Sequence, residues 1–290
     1  MSTGKAQGPG IYRNTPSNRM TVCVEIDVFN DERVYDTIRS VISQTLKPDR
    51  ILVVDGGSGE SFLEGLKDTF AGNDISIEVL EGKLVESREK ALSVKTEDIT
   101  VYLDSDEVAP PGWLSKLIKP LVSDNFDFAG GPTTPYRKPE TWIEKYYDEL
   151  ENKIYSSDIK GSVAYLPMGN SAWKTALLTR LRFDTRLRYS SEDYDIAIRA
   201  LRTGSRGCFV SDAWVYHNKT SEKKFTRLIK KRYYYLVGTT VAIAKNHTLF
   251  KRVSEARTHV SHPFGIIETA MKPFAVVHGI FLWYAVIRRR

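Results

Sequence analysis

ITVYLDSD, residues Ile99 to Asp106, carries a β-branched apolar run straight into two carboxylates. Such a run reads as a buried strand, and Asp104-Ser105-Asp106 stops it. Side chains two apart at a strand end project to the same side. Asp104 and Asp106 can therefore face one hard cation, which would bridge a diphosphate and neutralise charge on a leaving group. A DxD triplet alone is common in turns. Placed after this strand and ahead of Pro110-Pro111-Gly112-Trp113, it reads as a site.

The pattern repeats on the N-terminal side. Met20 to Phe29 (MTVCVEIDVF) and Arg50 to Asp55 (RILVVD) are two more buried strands, the second cut short by Gly56-Gly57-Ser58-Gly59. A helix is expected from Asn30 or Asp31 to about Gln44, with Val34, Ile38, Val41 and Ile42 on one face. Further helices are expected over Ser61–Phe70 and Val85–Val94, with a strand over Ile75–Leu80. Alternating strands and helices at this spacing imply right-handed βαβ units, hence an α/β fold with a parallel sheet. Ligands of such sheets bind beyond the C-terminal strand ends, where Asp27, Asn30, Asp55, Asp104 and Asp106 gather.

In the second half the pattern predicts helices over Leu114–Val122, Glu140–Tyr155, Ser171–Leu181, Ser191–Thr203 and Glu222–Ala244. Strands are predicted over Phe126–Gly130 and Ser162–Pro167, and within Cys208–Tyr216 ahead of His217. Residues 1–19, rich in Gly, Ser, Asn and Pro, read as a flexible N-terminus. Residues 20–218 then read as the catalytic α/β unit, and 219–290 as a basic helical segment next to a membrane.

The charge distribution supports that division. The 290 residues carry a net charge of +6, but Lys219 to Arg290 hold 15 Lys/Arg against 3 Asp/Glu. The remainder has 27 basic and 33 acidic residues. A basic tail on an acidic body points to a polyanion such as an anionic membrane surface, although a solvated basic helix would look the same. Pro273 to Ile287 is apolar but short for a bilayer crossing, so an interfacial helix or a core helix is expected. No apolar leader is seen near the N-terminus, which predicts a peripheral position at the cytoplasmic face of a membrane. Cys23 and Cys208 lie in apolar strand-like runs and read as buried thiols. No zinc-ligand spacing and no nucleic-acid-binding motif occurs.

Three ordered segments resemble family 2 glycosyltransferases with a GT-A fold. They are VVDGGS (Val53–Ser58), LDSDEVAPPGWL (Leu103–Leu114) and SSEDYDIAIRALRTG (Ser190–Gly204). The resemblance runs from about Thr21 to Gly238 and implies a mixed, mostly parallel Rossmann-like sheet. It implies transfer, with inversion, from a UDP- or GDP-linked sugar to a lipid-linked or glycan acceptor, using Mn2+ or Mg2+. By resemblance Asp193 is the general base, and Asp55, Arg88 and Asp104 lie at the donor nucleotide. Asp106, with Asp104 and His217, falls at the metal, while Gly169, Asn170 and Glu192 border the donor sugar and acceptor.

Departures from the family pattern matter. The first strand ends in Asp27-Val28-Phe29-Asn30 where Pro-Thr-Tyr-Asn is usual, so Asp27 puts a carboxylate beside the base pocket. Glu89 stands in place of an Asn after Arg88, and Gly56 in place of a second Asp after Asp55. The residues themselves leave alternatives open. Asp55 fits a turn cap, Arg88 a helix-surface arginine, His217 a strand-closing histidine, and Glu192-Asp193 a pair complementing a helix dipole. Two other functions compete: nucleotidyl transfer, which usually needs a glycine-rich phosphate loop absent from Asp27–Arg33, and a non-enzymatic polyanion-binding module.

Overall fold

The computed structural model describes residues 19–73, 75–154, 167–188, 190–219, 224–246 and 263–288. The expected flexible N-terminus up to residue 18, the expected strand over 162–166, and Arg289 and Arg290 lie outside them.

A seven-stranded sheet forms the centre, in the order β3-β2-β1-β4-β8-β6-β9. Its strands are β1 (Val22–Val28), β2 (Arg50–Asp55), β3 (Ile75–Val79), β4 (Ile99–Leu103), β6 (Phe128–Gly130), β8 (Asn170–Lys174) and β9 (Gly207–Phe209). The β1–β2, β2–β3 and β1–β4 pairs are all parallel. Strands β2 and β4 are buried apolar runs, as expected of parallel strands covered on both faces, whereas β1 carries a buried Glu25 that pairs with Lys95. From β1 the chain moves outward to β2 and β3 and then returns to β4 on the other side. The switch point therefore lies between β1 and β4, where such sheets open a ligand crevice.

Helix α1 is Val34–Ile42, shorter at its start than the sequence predicts. Asn30 occupies the left-handed region (φ 47°), and residues 30–33 make a turn ahead of the helix. Helices α2 (Glu60–Thr69), α3 (Leu84–Ala91) and α4 (Trp113–Ser123) follow. The expected helix over Ser171–Leu181 is corrected: residues Asn170–Lys174 are β8, and only Thr175–Leu181 is helical, as α6. Strand β8 runs antiparallel between β4 and β6. Trp173 stacks on Phe128 with ring centroids 4.4 Å apart. Ladder pairing on both edges and that aromatic contact override a run whose short apolar pattern does not distinguish strand from helix.

The sequence reading missed a second, three-stranded sheet. It consists of β5 (Glu107–Val108), β7 (Thr133–Pro135) and β10 (Val215–His217), with β10 in the middle. His217 pairs with Glu107 across the antiparallel β10–β5 ladder, and the Asn218 N–H donates to the Asp106 carbonyl at 2.8 Å. This small sheet carries the histidine from the C-terminal half to the DxD turn.

The remaining helices are α5 (Trp142–Ile154), α7 (Glu192–Arg202), α8 (Phe225–Lys245) and α9 (Phe264–Leu282). Ile143, Tyr146, Tyr147 and Leu150 of α5 form one apolar cluster with Leu228 of α8 and Phe264 of α9. Within it Glu268 accepts from Tyr146 Oη and from Arg232, both at 2.6 Å. Contacts advance together along α8 and α9: Phe225 meets Phe264, Arg232 meets Glu268, and Thr240 meets Gly279. The two helices thus run side by side in one direction.

The far end of α8 is tied to α7. Asp195, fully buried, accepts from Arg199 Nε (2.8 Å), Lys245 Nζ (3.0 Å) and Asn246 Nδ2 (2.7 Å). A buried carboxylate needs such a complement of donors. Asp195 therefore anchors α8 to α7. Residues Phe264 to Ala285 make an apolar helical stretch of 22 residues with mean hydropathy 1.3. That is longer than the expected 15-residue run and sufficient, by length and composition, to cross a membrane.

Candidate functional site

Arg88 of α3 is the hub of the site. Its side chain is only 2% exposed and reaches three carboxylates from separate elements. Nε donates to Asp27 at the end of β1 (2.8 Å), one terminal nitrogen to Glu192 at the start of α7 (3.1 Å), and the other lies 3.6 Å from Asp104 after β4. The guanidinium also sits 5.3 Å from the centroid of the Tyr102 ring. The helix-surface alternative for Arg88 is thereby excluded. Burial pushes the Glu192 carboxyl up, and the neighbouring Asp193 charge adds to this. Arg88 opposes them, and the result is about 7.

A second cluster forms round Asp106. Its carboxylate accepts from Arg33 at 3.0 Å and lies 3.3 Å from His217 Nε2. The other imidazole nitrogen, Nδ1, is 3.1 Å from Glu151 of α5. Burial favours neutral forms of both Asp106 and His217, but their mutual attraction outweighs it. The carboxyl is held down at about 2, helped by Arg33, and the imidazole is raised to about 10, helped by Glu151.

Asp104 is open to solvent, its side chain 43% exposed, and it packs against Gly169. A Cβ built on Gly169 would lie 2.5 Å from Asp104 Oδ2, so only glycine lets the loop before β8 approach so closely. Asn170, fully enclosed, accepts from Trp113 Nε1 (2.8 Å) and donates to the carbonyls of Pro132 and Ala213. It fixes the loop rather than facing a ligand.

Asp193 stands in the first turn of α7, next to Glu192. Its Oδ1 accepts from the Tyr194 N–H at 2.7 Å. Entry to this helix is set by α8. Ser191 is held at φ 69° with its hydroxyl 3.2 Å from Thr239, and a Cβ on Gly238 would come within 2.2 Å of Ser190 Oγ. Burial holds the Tyr235 phenol of α8 above its ordinary value, opposed by the Lys231 charge and reinforced by those of Glu192, Asp193 and Asp104.

Asp55 is placed apart from these clusters. It is fully buried, and its oxygens accept from the Gly57 N–H (2.9 Å), the Ser58 N–H (2.8 Å) and Ser58 Oγ. This is the turn-capping arrangement. Asp27 offers what Asp55 does not: among the described residues its buried Oδ1 has no hydrogen-bond partner. Asp27, Phe29, Val54, Gly56, Leu84 and Ser87 line an open cleft at the ends of β1 and β2.

Sequence reasoning missed Arg33 and Glu151. Arg33 follows β1 by five residues, at a strand end already marked as ligand-facing, so its position carried a signal. Glu151 lies on an amphipathic helix far from any motif and carried none.

Among the described residues no group of three or more His, Cys, Asp or Glu is arranged to hold an ion unaided. The donor set nevertheless fits a hard divalent cation that enters with its substrate. Asp104 and Asp106 offer two carboxylates, with His217 beside them, and diphosphate oxygens would complete the shell, as is usual for Mg2+.

Comparison with known proteins follows the same outline. Residues 23–182 match the model for glycosyl transferase family 2. A glucosyl-dolichyl phosphate glucuronosyltransferase of Haloferax volcanii is 31% identical over 140 residues, 44% of this chain and 44% of that protein. The aligned region thus spans less than half of that relative. A mannosyltransferase of Pyrobaculum calidifontis, solved with GDP-Man and Mn2+, superposes with a TM-score of 0.63 at 19% identity, covering 90% of this chain and 76% of its own. GalNAc-T7, solved with UDP, GalNAc and Mn2+, gives 0.57 at 15% identity, covering 89% of this chain and 58% of its own. At these identities the two structures establish a shared GT-A architecture.

Proposed function

Because the chain belongs to glycosyl transferase family 2, we propose that it transfers a sugar, with inversion, from a UDP- or GDP-linked donor to a lipid-linked or glycan acceptor. The observation that carries this reading is the convergence on Arg88 of Asp27, Asp104 and Glu192 from three elements. The two solved neighbours hold nucleotides and Mn2+ on the same architecture.

In this reading the donor base enters the cleft at the ends of β1 and β2. Phe29 and Leu84 supply exposed apolar surface there, and the unused oxygen of Asp27 accepts a ring N–H. Uracil and guanine both present such a donor. Asp104 and Asp106, with His217, would hold Mn2+ or Mg2+ at the diphosphate, and the ion supplies charge neutralisation for the departing diphosphate. Lys231, whose charge acts on Asp106, and Arg33 add fixed positive charge beside that group. Arg88 holds Asp27, Asp104 and Glu192 together by offsetting their mutual repulsion. Asp193, next in the chain, takes the proton from the acceptor hydroxyl.

Asp193→Asn keeps the shape but removes the proton acceptor. We expect kcat to fall by about 10²–10⁴-fold, with donor binding and melting temperature unchanged. A kcat close to wild type would remove Asp193 as the base, as would happen if the acceptor group were itself a phosphate.

We further place the chain at the surface of an anionic membrane, on its cytoplasmic face, and assign it no nucleic-acid partner. Support comes from α9, which turns Ile266, Phe274, Val277 and Phe281 to solvent, with Phe274 72% exposed, and from Tyr284, exposed in the turn that follows it. Basic residues Arg227, Lys230 and Lys231 lie exposed on α8 alongside. An apolar face flanked by cations fits an anionic interface. Phe274→Glu with Phe281→Glu should abolish co-sedimentation with vesicles containing phosphatidylserine. Equal sedimentation of variant and wild type would contradict the placement.

A further inference from the structure

The groove between β7, β10 and α5 shares His217 with the metal site, and its other lining residues are not used by donor, metal or base. Tyr136, Arg137, Glu144, Asp148, His217 and Lys219 line it, and it is shallow and open to solvent. Helix α5 has two faces here. Ile143, Tyr146, Tyr147 and Leu150 pack toward α8 and α9, whereas Glu144, Asp148 and Glu151 turn to the groove.

The charges in the groove are already matched. Arg137 pairs with Glu144 at 2.6 Å, and Lys219 and His217 both engage Glu151. A phosphate would find its cations occupied and three carboxylates facing it. A neutral polyol meets the opposite situation. Among the described residues the Asp148 carboxylate and the Tyr136 hydroxyl have no hydrogen-bond or ion-pair partner, which leaves one strong acceptor and one donor open.

Tyr136 is the aromatic ring of the lining, and two further rings adjoin it outside the groove. Tyr136, exposed, meets Tyr216 edge-on at 6.1 Å, and Tyr216 meets Trp214 edge-on at 4.8 Å. Rings held in this way offer an apolar face with a polar tip, the surface on which the C–H face of a pyranose packs. Given the glycosyl-transfer reading above, on which this rests, we propose that the groove binds a neutral sugar ring of the acceptor, so that the acceptor is a glycan rather than a bare lipid phosphate.

Position agrees with chemistry. His217 is shared: Nδ1 faces Glu151 on the groove side, and Nε2 faces Asp106. The groove and the donor diphosphate therefore lie on two sides of one imidazole. Helix α5 alone separates the groove from α8 and α9, one helix diameter of roughly 10 Å. A lipid carrying the bound sugar thus has a short path to the membrane-facing helix.

The test is saturation-transfer NMR on the full chain with methyl α-mannopyranoside, methyl β-glucopyranoside and methyl β-galactopyranoside, with inorganic phosphate as competitor. Tyr136→Ala and Asp148→Ala are compared with wild type, backed by the milder Tyr136→Phe and Asp148→Asn. Melting temperature and stabilisation by nucleoside diphosphate sugar with Mn2+ serve as controls. At least one glycoside should receive saturation from wild type, resist displacement by phosphate and lose its signal in both alanine variants. No transfer to any glycoside, transfer that persists in both variants, or displacement by phosphate overturns the groove. If donor stabilisation holds while the glycoside signal fails, only the groove falls. If the donor itself does not stabilise the wild type, the glycosyl-transfer reading falls.

Discussion

Arg88→Met should lower the melting temperature by on the order of 10 °C and abolish donor binding. The methionine fills most of the same space, so the effect isolates charge and hydrogen bonding. Removing one partner of a buried ion pair typically costs about 3–5 kcal/mol. Arg88 serves two carboxylates by direct hydrogen bonds and a third at 3.6 Å. For domains of roughly this size each kcal/mol corresponds to about 2–4 °C. The loss also has a definite pH dependence. Without the guanidinium, burial and mutual repulsion drive the carboxyls up, Glu192 from its already raised value of about 7. A group whose folded-state pKa is raised contributes stability below its unfolded pKa and loses it as pH rises through the folded value. The gap between variant and wild type should therefore narrow between pH 8 and pH 6. Calorimetric melting of both proteins across that range is the measurement. A shift of under two degrees, or a gap that widens on acidification, would show that Arg88 is not the keystone of the site.

How far this arrangement can be read from the chain alone depends on the reach of each interaction. Strands β2 and β4 carry unbroken apolar runs ended by Asp or Gly-Gly, so their limits at Arg50–Asp55 and Ile99–Leu103 were legible to the residue. Local sequence also marked the strand-end carboxylates and the start of α7. Strand β8 was misread because Asn170–Lys174 has no strand alternation of its own and becomes a strand only through pairing on both sides. The strand ahead of His217 was legible, but its partners β5 and β7, two and three residues long, carry too little pattern to register, so the route by which His217 reaches Asp106 was hidden. Asp55 illustrates the reverse difficulty. A carboxylate before Gly-Gly-Ser suits a ligand and a turn equally, and only the hydrogen bonds from Gly57 and Ser58 distinguish them. The cluster on Arg88 joins positions 61 and 104 residues apart in the chain, a separation at which no local pattern operates.

Asp106→Asn should remove every metal-dependent property of the protein while leaving its fold in place. The amide keeps the size of the carboxylate and an oxygen for Arg33, but it loses the charge that a hard cation requires. Asp104 alone would then face the ion, with His217 left paired to Glu151. The most direct measurement is the melting temperature with a saturating nucleoside diphosphate sugar, with and without Mn2+, in wild type and Asp106→Asn. A ligand at about a hundredfold its Kd stabilises by roughly 2.7 kcal/mol, a shift of several degrees. The account predicts that shift in the wild type only when Mn2+ and the sugar nucleotide are present together, and its absence from the variant. An equal shift without Mn2+, or an undiminished one in Asp106→Asn, would contradict it.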